Sequence, residues 1–439
     1  MTIAIINSKC LGHLRKVVGI ALIPALIVAC SSQDQAGDLT NKVLKDEVIG
    51  KKTYPFLLAY SETASGEVLV SESVASDAFF APTQTPKVDD WMRIWSMTKL
   101  VTTVLTLDLV EDGVISLEDE VISYLPELAE LRVAVPRSGG TMTEASASGY
   151  VLGSDANNTA TDACDFELLP LSRPMTIRDL MLHTAGFYYA TTGIPCLDEA
   201  LARLNLPLAK SSDDWLARIS TLPLIQQPSD NYYYGLNTSV LGFLLERASG
   251  KSLQTLLEQR ITNPYSIEGL SFMLPKNVEL PPRTSGRDGT LRLARDRELD
   301  IFGGEQPPYG PDTTLFLGGE GLVATAPGFA KFLRVVFFPT LNNLRPLLDP
   351  DSLTAMTSAQ INKNEWGAMG YTLWISSGLR ADGSFSRAGL WTGGGYEGTR
   401  YWIDPEQQQV GVIMTQVFMP PTEGVAIDER IRDILEAQR

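Results

Sequence analysis

The chain has 439 residues, of which 44% are hydrophobic and 20% charged, and its mean hydropathy is +0.00. This balance is typical of a globular protein, so it argues against wholesale disorder and against several membrane spans. The formal net charge of −16 disfavours a nucleic-acid partner, because an acidic protein repels the phosphate backbone.

The first 29 residues predict a targeting segment that is not part of the fold. They contain Lys9, Arg15 and Lys16 but no acidic residue, and residues 17–29 form an apolar run. As a helix this run reaches only about 20 Å, too short for a hydrocarbon core of about 30 Å. A basic stretch, a short apolar core and small residues before a cut site are typical of a secretory signal.

The cut site contains Cys30, and the segment resembles a bacterial lipoprotein signal. The resemblance implies cleavage before Cys30 and acylation of its thiol, which would attach the protein to a membrane. Ser31, in place of an aspartate, favours the outer membrane and its periplasmic face. An ordinary signal peptide with an incidental cysteine is the alternative. Residues 30–50 are largely polar and are expected to form a tether before the folded domain, residues 51–439.

The strongest local motif is the sequence Trp95-Ser96-Met97-Thr98-Lys99. Apolar residues follow at 100, 101, 104, 105, 107 and 109, which predicts a buried helix that ends at Gly113. Ser96 would stand at the helix N-terminus, with Lys99 on the same face. Burial and the helix dipole both lower the pKa of such a lysine, so it can take the proton of the serine. The alternative is a serine cap with a solvent-reaching lysine.

The remaining cysteines and histidine limit the chemistry. Cys164 and Cys196 suggest one disulfide, or else two buried thiols. His183 is the one histidine after residue 29, so a zinc site built on several histidines is not available, and neither a metal nor another cofactor is expected. A structural role at the end of a short helix is expected for His183. Residues 136–173 are rich in Gly, Ser, Thr and Asn and predict a surface insertion.

A second motif lies far downstream, where three tyrosines precede a helix predicted over residues 238–248. Tyr234 stands six residues before Val240, and Tyr232 and Tyr233 are its rivals. Elsewhere, hairpins are predicted over residues 54–75 and 400–415, and an amphipathic helix over residues 423–439.

Taken together, these stretches resemble the serine β-lactamase and penicillin-recognising superfamily, and the chain is most similar to its class C-like esterases, the family VIII carboxylesterases. The stretches that carry the resemblance are residues 92–99, 174–186, 234–242, 318–326 and 398–405. The resemblance implies an α/β fold of the α+β type. An antiparallel sheet with flanking helices would come from residues 51–120 and 310–439, and a mostly helical lobe from residues 121–309. The active site would lie between them.

The resemblance also implies roles for single residues. Ser96 would be the nucleophile and Lys99 its partner, while Tyr234 would act as base toward Ser96 and as acid toward the leaving group. The lysine of the family's K-T-G strand is replaced by Trp391, in Trp391-Thr392-Gly393. Trp391 would then line the substrate pocket.

The glycines after Trp391 would help to stabilise the oxyanion. The backbone N–H of Gly394, beside Gly393, would join that of Ser96 as oxyanion donors. Asn237 stands one position later than the family's asparagine, which leaves its role open.

The missing strand lysine favours neutral esters, since that lysine pairs the carboxylate of penicillin-like substrates. Arg400 could supply a replacement charge, although a surface arginine is the simpler interpretation. The expected function is therefore hydrolysis of small carboxylic esters through an acyl-enzyme on Ser96. The alternatives are a class C-type β-lactamase acting on β-lactam-like substrates, a D-amino-acid peptidase or transacylase, and a catalytically silent protein that binds cell-wall fragments.

Overall fold

An eight-stranded antiparallel sheet organises the chain in the computed structural model, which describes residues 23–146, 162–296, 298, 301–302, 307, 309–342, 344–421 and 425–438. The strands, in chain order, are β1 (Phe56–Thr63), β2 (Val68–Ala75), β3 (Met92–Arg93), β4 (Arg132–Pro136), β5 (Phe166–Pro170), β6 (Leu270–Ser271), β7 (Thr284–Ser285), β8 (Arg292–Leu293), β9 (Val323–Ala324), β10 (Ile361–Asn364), β11 (Gly367–Met369), β12 (Trp374–Ser376), β13 (Trp391–Gly394), β14 (Arg400–Asp404), β15 (Gln409–Met414) and β16 (Val417–Phe418).

The described helices lie mainly between and around these strands. In chain order they are α1 (Ile23–Lys45), α2 (Thr98–Glu111), α3 (Met142–Ala145), α4 (Ile177–Met181), α5 (Pro195–Leu204), α6 (Ser212–Ile219), α7 (Asn237–Ser249), α8 (Leu253–Leu257), α9 (Ala326–Phe337), α10 (Pro350–Thr357) and α11 (Ile427–Ala437). No helix of the described residues has an apolar stretch long enough to cross a bilayer.

The large sheet runs in the order β10-β11-β12-β13-β14-β15-β1-β2. Its strands therefore come from the start and the end of the folded chain, and most of the helices come from the sequence between them. The predicted hairpins form: β1 pairs with β2, and β14 pairs with β15. The pairing of β1 with β15, with Leu58 opposite Met414, joins the two ends of the chain.

The two faces of the sheet bury different helices. Because side chains alternate along a strand, Phe56 and Leu58 point to one face and pack in the core that contains α9 and α2. Leu57 and Ala59 point to the other face and pack against α1 and α11. Burial on both faces explains why β1 and β15 read as continuous apolar runs rather than alternating ones.

The expected tether over residues 30–50 is wrong for the part whose side chains are described. Residues 34–45 belong to α1, and a π-helical turn continues to Gly50. Ala36, Thr40, Leu44 and Val48 recur every four residues and are buried against the sheet and α11. The stretch is polar in composition because its other faces meet solvent, while a narrow apolar stripe holds it to the domain.

The predicted disulfide forms between Cys164 and Cys196, whose Cα atoms are 5.8 Å apart. It connects the chain just before β5 to the first turn of α5. Part of the predicted surface insertion is ordered as the β4–β5 hairpin. Residues 147–161 of the insertion lie outside the described residues.

We expect Leu44→Ala to lower the free energy of unfolding by about 2–5 kcal/mol, because it opens a cavity beneath α1. Leu39→Ala is the matched control, since Leu39 lies on the same helix but is 36% exposed while Leu44 is 0% exposed. The control should cost less than about 1 kcal/mol in chemical denaturation. Equal losses for both variants would show that α1 is not docked in solution.

Candidate active site

Ser96, Lys99 and Tyr234 converge on one point. The Tyr234 hydroxyl lies 2.7 Å from Ser96 Oγ, and Lys99 Nζ lies 3.2 Å from it. The rival tyrosines have other contacts: Tyr233 hydrogen bonds to Ser146, and Tyr232 lies edge-to-face against His183. The geometry therefore selects Tyr234 among the three.

Ser96 is presented by a strained backbone. Trp95 has φ of 48°, a left-handed conformation that is rare for a bulky side chain. The Trp95 indole is fully buried, and its Nε1 donates to Glu397 Oε2 at 2.9 Å. The Arg283 guanidinium donates to the other oxygen of Glu397 and lies 5.2 Å over the Trp95 ring. These contacts hold the 3₁₀ turn that carries the chain from β3 into α2. Ser96 lies in that turn, directly before α2.

Lys99 is buried, with 2% of its surface exposed. Its Nζ lies 3.0 Å from both the Tyr189 hydroxyl and the Gly319 carbonyl oxygen. Burial lowers the pKa of Lys99 to about 8, and the Glu320 carboxylate 3.7 Å away opposes part of that shift. A lysine with such a pKa is available as a neutral amine near neutral pH.

Glu320 has partners for both carboxylate oxygens. The Tyr189 hydroxyl donates to Oε1, and Ser239 Oγ donates to Oε2 at 2.6 Å. A Cβ on Gly319 would lie 2.7 Å from Ser239 Oγ, so only glycine lets this loop approach α7 so closely. Neither Tyr189 nor Glu320 was predicted from the sequence as a site residue. The available signal was an acid among glycines in an otherwise apolar stretch, residues 315–324.

His183 supports the tyrosine rather than the nucleophile. Its ring stacks on that of Tyr234, with centroids 4.8 Å apart. Nδ1 faces two donors, Asn237 Nδ2 at 3.1 Å and the Gly235 N–H at 3.4 Å, so Nδ1 is the acceptor and Nε2 carries the proton. Burial, with Lys99 as a second cause, holds the pKa of His183 well below its usual range. His183 is therefore neutral and has a structural role. Asn237, which donates to its Nδ1, helps to hold the His183 ring in place.

The glycines of β13 lie beside Ser96. Gly395 N donates to Thr399 O at 2.8 Å, so the preceding pair, Gly394 and Arg400, is a non-hydrogen-bonded pair of the ladder. The Gly394 N–H is therefore directed away from β14. Ser96 and Gly394 line the same two cavities, as the expected pair of oxyanion donors requires. Gly393 is constrained differently: a Cβ there would lie 2.5 Å from the Tyr401 hydroxyl oxygen.

The structure corrects the role expected for Trp391. Thr392 lines the smaller cavity, whereas Trp391 is not among the described residues that line either cavity beside Ser96. The Trp391 ring packs against Phe337 of α9, with centroids 5.4 Å apart. The tryptophan that does line the cavity is Trp374 on β12, paired with Thr392 across the ladder.

Two cavities meet at Ser96. The larger, about 360 Å³, is lined in part by Tyr54, Tyr189 and Arg400. The smaller, about 140 Å³, is lined in part by Lys99, His183, Met369, Thr372, Trp374 and Thr392. Arg400 is half exposed, and its Nε lies 3.6 Å from Asp428. Among the described residues there is no group of three or more His, Cys, Asp or Glu side chains that could hold a metal ion.

The chain matches one family model and is similar in sequence to several known proteins. The family model Beta-lactamase matches residues 62–436. An uncharacterized protein of Mycobacterium tuberculosis is 26% identical over 295 residues, which cover 66% of this chain and 65% of that protein. Lovastatin esterase of Penicillium rubens is 27% identical over 262 residues, which cover 57% of this chain and 56% of the esterase. The chain thus spans less than two thirds of the length of either relative.

Two solved structures have the same fold. EstCE1, described as a hydrolase with promiscuous acyltransferase activity, superposes with a TM-score of 0.70 at 18% identity and covers 92% of this chain and 99% of its own. Simvastatin synthase (LovD) from Aspergillus terreus superposes with a TM-score of 0.65 at 21% identity and covers 92% and 96%. With the family match over most of its length, the chain belongs to the Beta-lactamase family.

Proposed function

We propose that the protein hydrolyses small carboxylic esters through an acyl-enzyme on Ser96. The observation that carries this proposal is the convergence of Lys99 and Tyr234 on Ser96 Oγ, beside the glycine strand β13. Ser96 attacks the ester carbonyl, the oxyanion is held by the N–H groups of Ser96 and Gly394, and the alcohol leaves. Water then attacks the acyl-enzyme and releases the acid.

Lys99 and Tyr234 divide the proton transfers. Burial lowers the pKa of Lys99 to about 8, whereas burial raises the pKa of Tyr234 above its usual range. Two groups whose pKa values are moved apart in this way suit the roles of base and acid. Lys99 therefore takes the proton of Ser96, and the Tyr234 hydroxyl donates a proton to the departing alkoxide. In the second half-reaction the Tyr234 phenolate takes a proton from the attacking water, and Lys99 returns its proton to Ser96 Oγ as the acid leaves.

We expect Tyr234→Phe to lower kcat/KM for esters by about 10²–10⁴-fold, the usual contribution of a general acid or base. Tyr232→Phe is the matched control, since it makes the same change two residues away on the same loop. The control should stay within about threefold of wild type in a steady-state assay with an alkyl ester such as ethyl butyrate, whose departing alkoxide needs the proton of Tyr234. A loss confined to Tyr232→Phe would remove Tyr234 from the mechanism.

The cavities suggest the substrate class. The smaller cavity has apolar walls at Met369 and Trp374, next to the oxyanion strand, and we assign the acyl group to it. Its volume of about 140 Å³ favours short acyl chains. The larger cavity, about 360 Å³, takes the leaving alcohol. β13 carries no lysine, and Arg400, the one charged side chain among the described residues that line the larger cavity, lies 3.6 Å from Asp428. This arrangement favours neutral esters over carboxylate-bearing β-lactams.

A second function, acyl transfer, is supported by the size of the larger cavity. An alcohol that stays there could attack the acyl-enzyme in place of water. The names of two similar proteins point the same way: EstCE1 has promiscuous acyltransferase activity, and a 26% identical protein of Aspergillus terreus is a monacolin J acid methylbutanoyltransferase. The share of acyl groups transferred to an added alcohol would separate the two functions.

Substrate comparison tests the ester proposal. Short p-nitrophenyl esters should be cleaved with a kcat/KM at least about tenfold above that for nitrocefin or D-Ala peptides, because an unpaired buried carboxylate costs several kcal/mol while each buried methylene gains about 0.8 kcal/mol. Ser96→Ala should abolish every activity. Trp374→Leu should raise the ratio of hexanoate to acetate cleavage, and the same change at Trp391 should leave that ratio unaltered. Faster cleavage of nitrocefin than of p-nitrophenyl butyrate would favour the β-lactamase alternative.

We also propose that the mature protein is anchored through a lipid on Cys30, at the periplasmic face of the outer membrane. The leader sequence supports this proposal. Cys30 also stands close in the sequence to Ala36, the first buried residue described in α1, so a lipid on Cys30 would keep the folded domain near the membrane. Cys30→Ala should move the protein from the membrane fraction to the soluble fraction and abolish palmitate labelling. Cys10→Ala, a cysteine change within the leader, should do neither, and an unchanged distribution for Cys30→Ala would exclude the anchor.

A further inference from the structure

We infer that Glu320, acting through Tyr189, is a positioning residue that aims the lone pair of neutral Lys99 at the Ser96 hydroxyl. The inference rests on the proposed function, because it concerns how Ser96 is activated. It assigns a role to a buried acid that lies outside the motifs of Ser96, Lys99 and Tyr234.

The first step is the direction of one proton. An ionised carboxylate has only acceptor sites, so the hydrogen bond between Tyr189 and Glu320 Oε1 must use the Tyr189 proton. The Tyr189 oxygen is then left with acceptor sites only. The contact of 3.0 Å between Tyr189 and Lys99 Nζ must therefore use an N–H of Lys99.

The second step is the count of donors on Lys99. The Gly319 carbonyl oxygen, also 3.0 Å away, is an acceptor and takes a second N–H. A neutral amine has only two N–H bonds and one lone pair. Both N–H bonds are occupied, so the lone pair is left for the remaining neighbour, Ser96 Oγ at 3.2 Å.

The third step concerns Ser96 itself. The Tyr234 hydroxyl donates to Ser96 Oγ at 2.7 Å, which leaves the Ser96 proton to be donated to Lys99. As Oγ bonds to the ester carbon, its proton passes to Nζ and the carbonyl electron pair moves to the oxyanion. Lys99 becomes an ammonium ion, and Glu320, 3.7 Å away, is its counter-charge.

The other groups around Lys99 do not replace Glu320. The rings of Tyr234 and Tyr189 lie 4.9 and 5.6 Å from Nζ, and His183 is held neutral by burial. Within the part of the chain that the structure describes, Glu320 is the one acid at ion-pair distance from Lys99. Its position is set by the loop that follows Gly318, whose carbonyl oxygen accepts from Thr102 on α2 at 2.7 Å.

Three variants test the inference. Glu320→Gln removes the charge and leaves one acceptor oxygen for two partners, so the direction of the Tyr189 proton is no longer fixed. Tyr189→Phe removes the link to Lys99. Both should lower kcat by about 10–100-fold, since small misplacements of a catalytic group have effects of that size. The double variant should be no slower than the slower single variant, because the two side chains act in one chain of contacts. Ser239→Ala is the matched control: Ser239 contacts the other carboxylate oxygen, so kcat should stay within about threefold of wild type.

The pH profile separates positioning from a merely structural role. In wild type, kcat/KM should rise with pH through about 8, as Lys99 loses its proton. Glu320→Gln should move this limb to lower pH, because the ammonium ion loses its counter-charge, and Ser239→Ala should leave the limb in place. Each measured rate is divided by the fraction of folded enzyme, which is determined from thermal unfolding.

The outcomes are distinct. Wild-type kcat and an unmoved limb in Glu320→Gln, or additive losses in the double variant, would overturn the inference. If Glu320→Gln does not fold, Tyr189→Phe with wild-type kcat would overturn it alone. A wild-type protein whose Ser96 is not labelled by a fluorophosphonate would instead remove the proposed function, whatever the variants do.

Discussion

The burial of one amine, Lys99, is the constraint on which the rest of the site depends. Removing a lysine from water disfavours its charged form and leaves hydrogen-bonding groups that must be satisfied inside the protein. Ser96, in the preceding turn, is the one described partner of the Lys99 amine that is near it in the sequence. Tyr189 comes from the helical region. The loop before β9 supplies Gly319 and Glu320. The site can exist only when the helical region and the sheet region have packed together.

Close packing of small residues makes that assembly possible. Gly318 and Gly242 have Cα atoms so near that a Cβ on either would lie about 3.0 Å from the other. The loop that carries Glu320 therefore sits directly on α7, the helix that follows Tyr234. On its other side the loop is tied to α2 by Thr98 and Thr102. Lys99 on α2 and Tyr234 before α7 are thus held near the same loop, which contacts both helices. Such shared contacts support precise positioning.

The parts of the site that could be predicted from the sequence are those coded by local spacing. Ser96 and Lys99 share one helical turn, and a buried helix follows them in a readable pattern. Glu320 could not be found this way, because its partners are far away in the chain. Trp391 was misplaced because the sequence shows the strand but not the contact of the Trp391 ring with Phe337 of α9, which is distant in the chain. The prediction of a tether was wrong at residues 34–50 for a similar reason. The few residues that α1 and the turn after it bury are spaced along a segment whose overall composition is polar.

In the proposed function, the choice between hydrolysis and acyl transfer depends on the same geometry. Once the alcohol has left, the Tyr234 phenolate takes the proton of the second nucleophile as it attacks the acyl carbon. Water and a second alcohol then compete for one position, beside Ser96 at the mouth of the larger cavity. A cavity of about 360 Å³ is large enough to hold organic acceptors as well as water. Retention of an alcohol there raises its local concentration over the acyl-enzyme, so the lining of this cavity, rather than the Ser96–Lys99–Tyr234 group, decides which product forms.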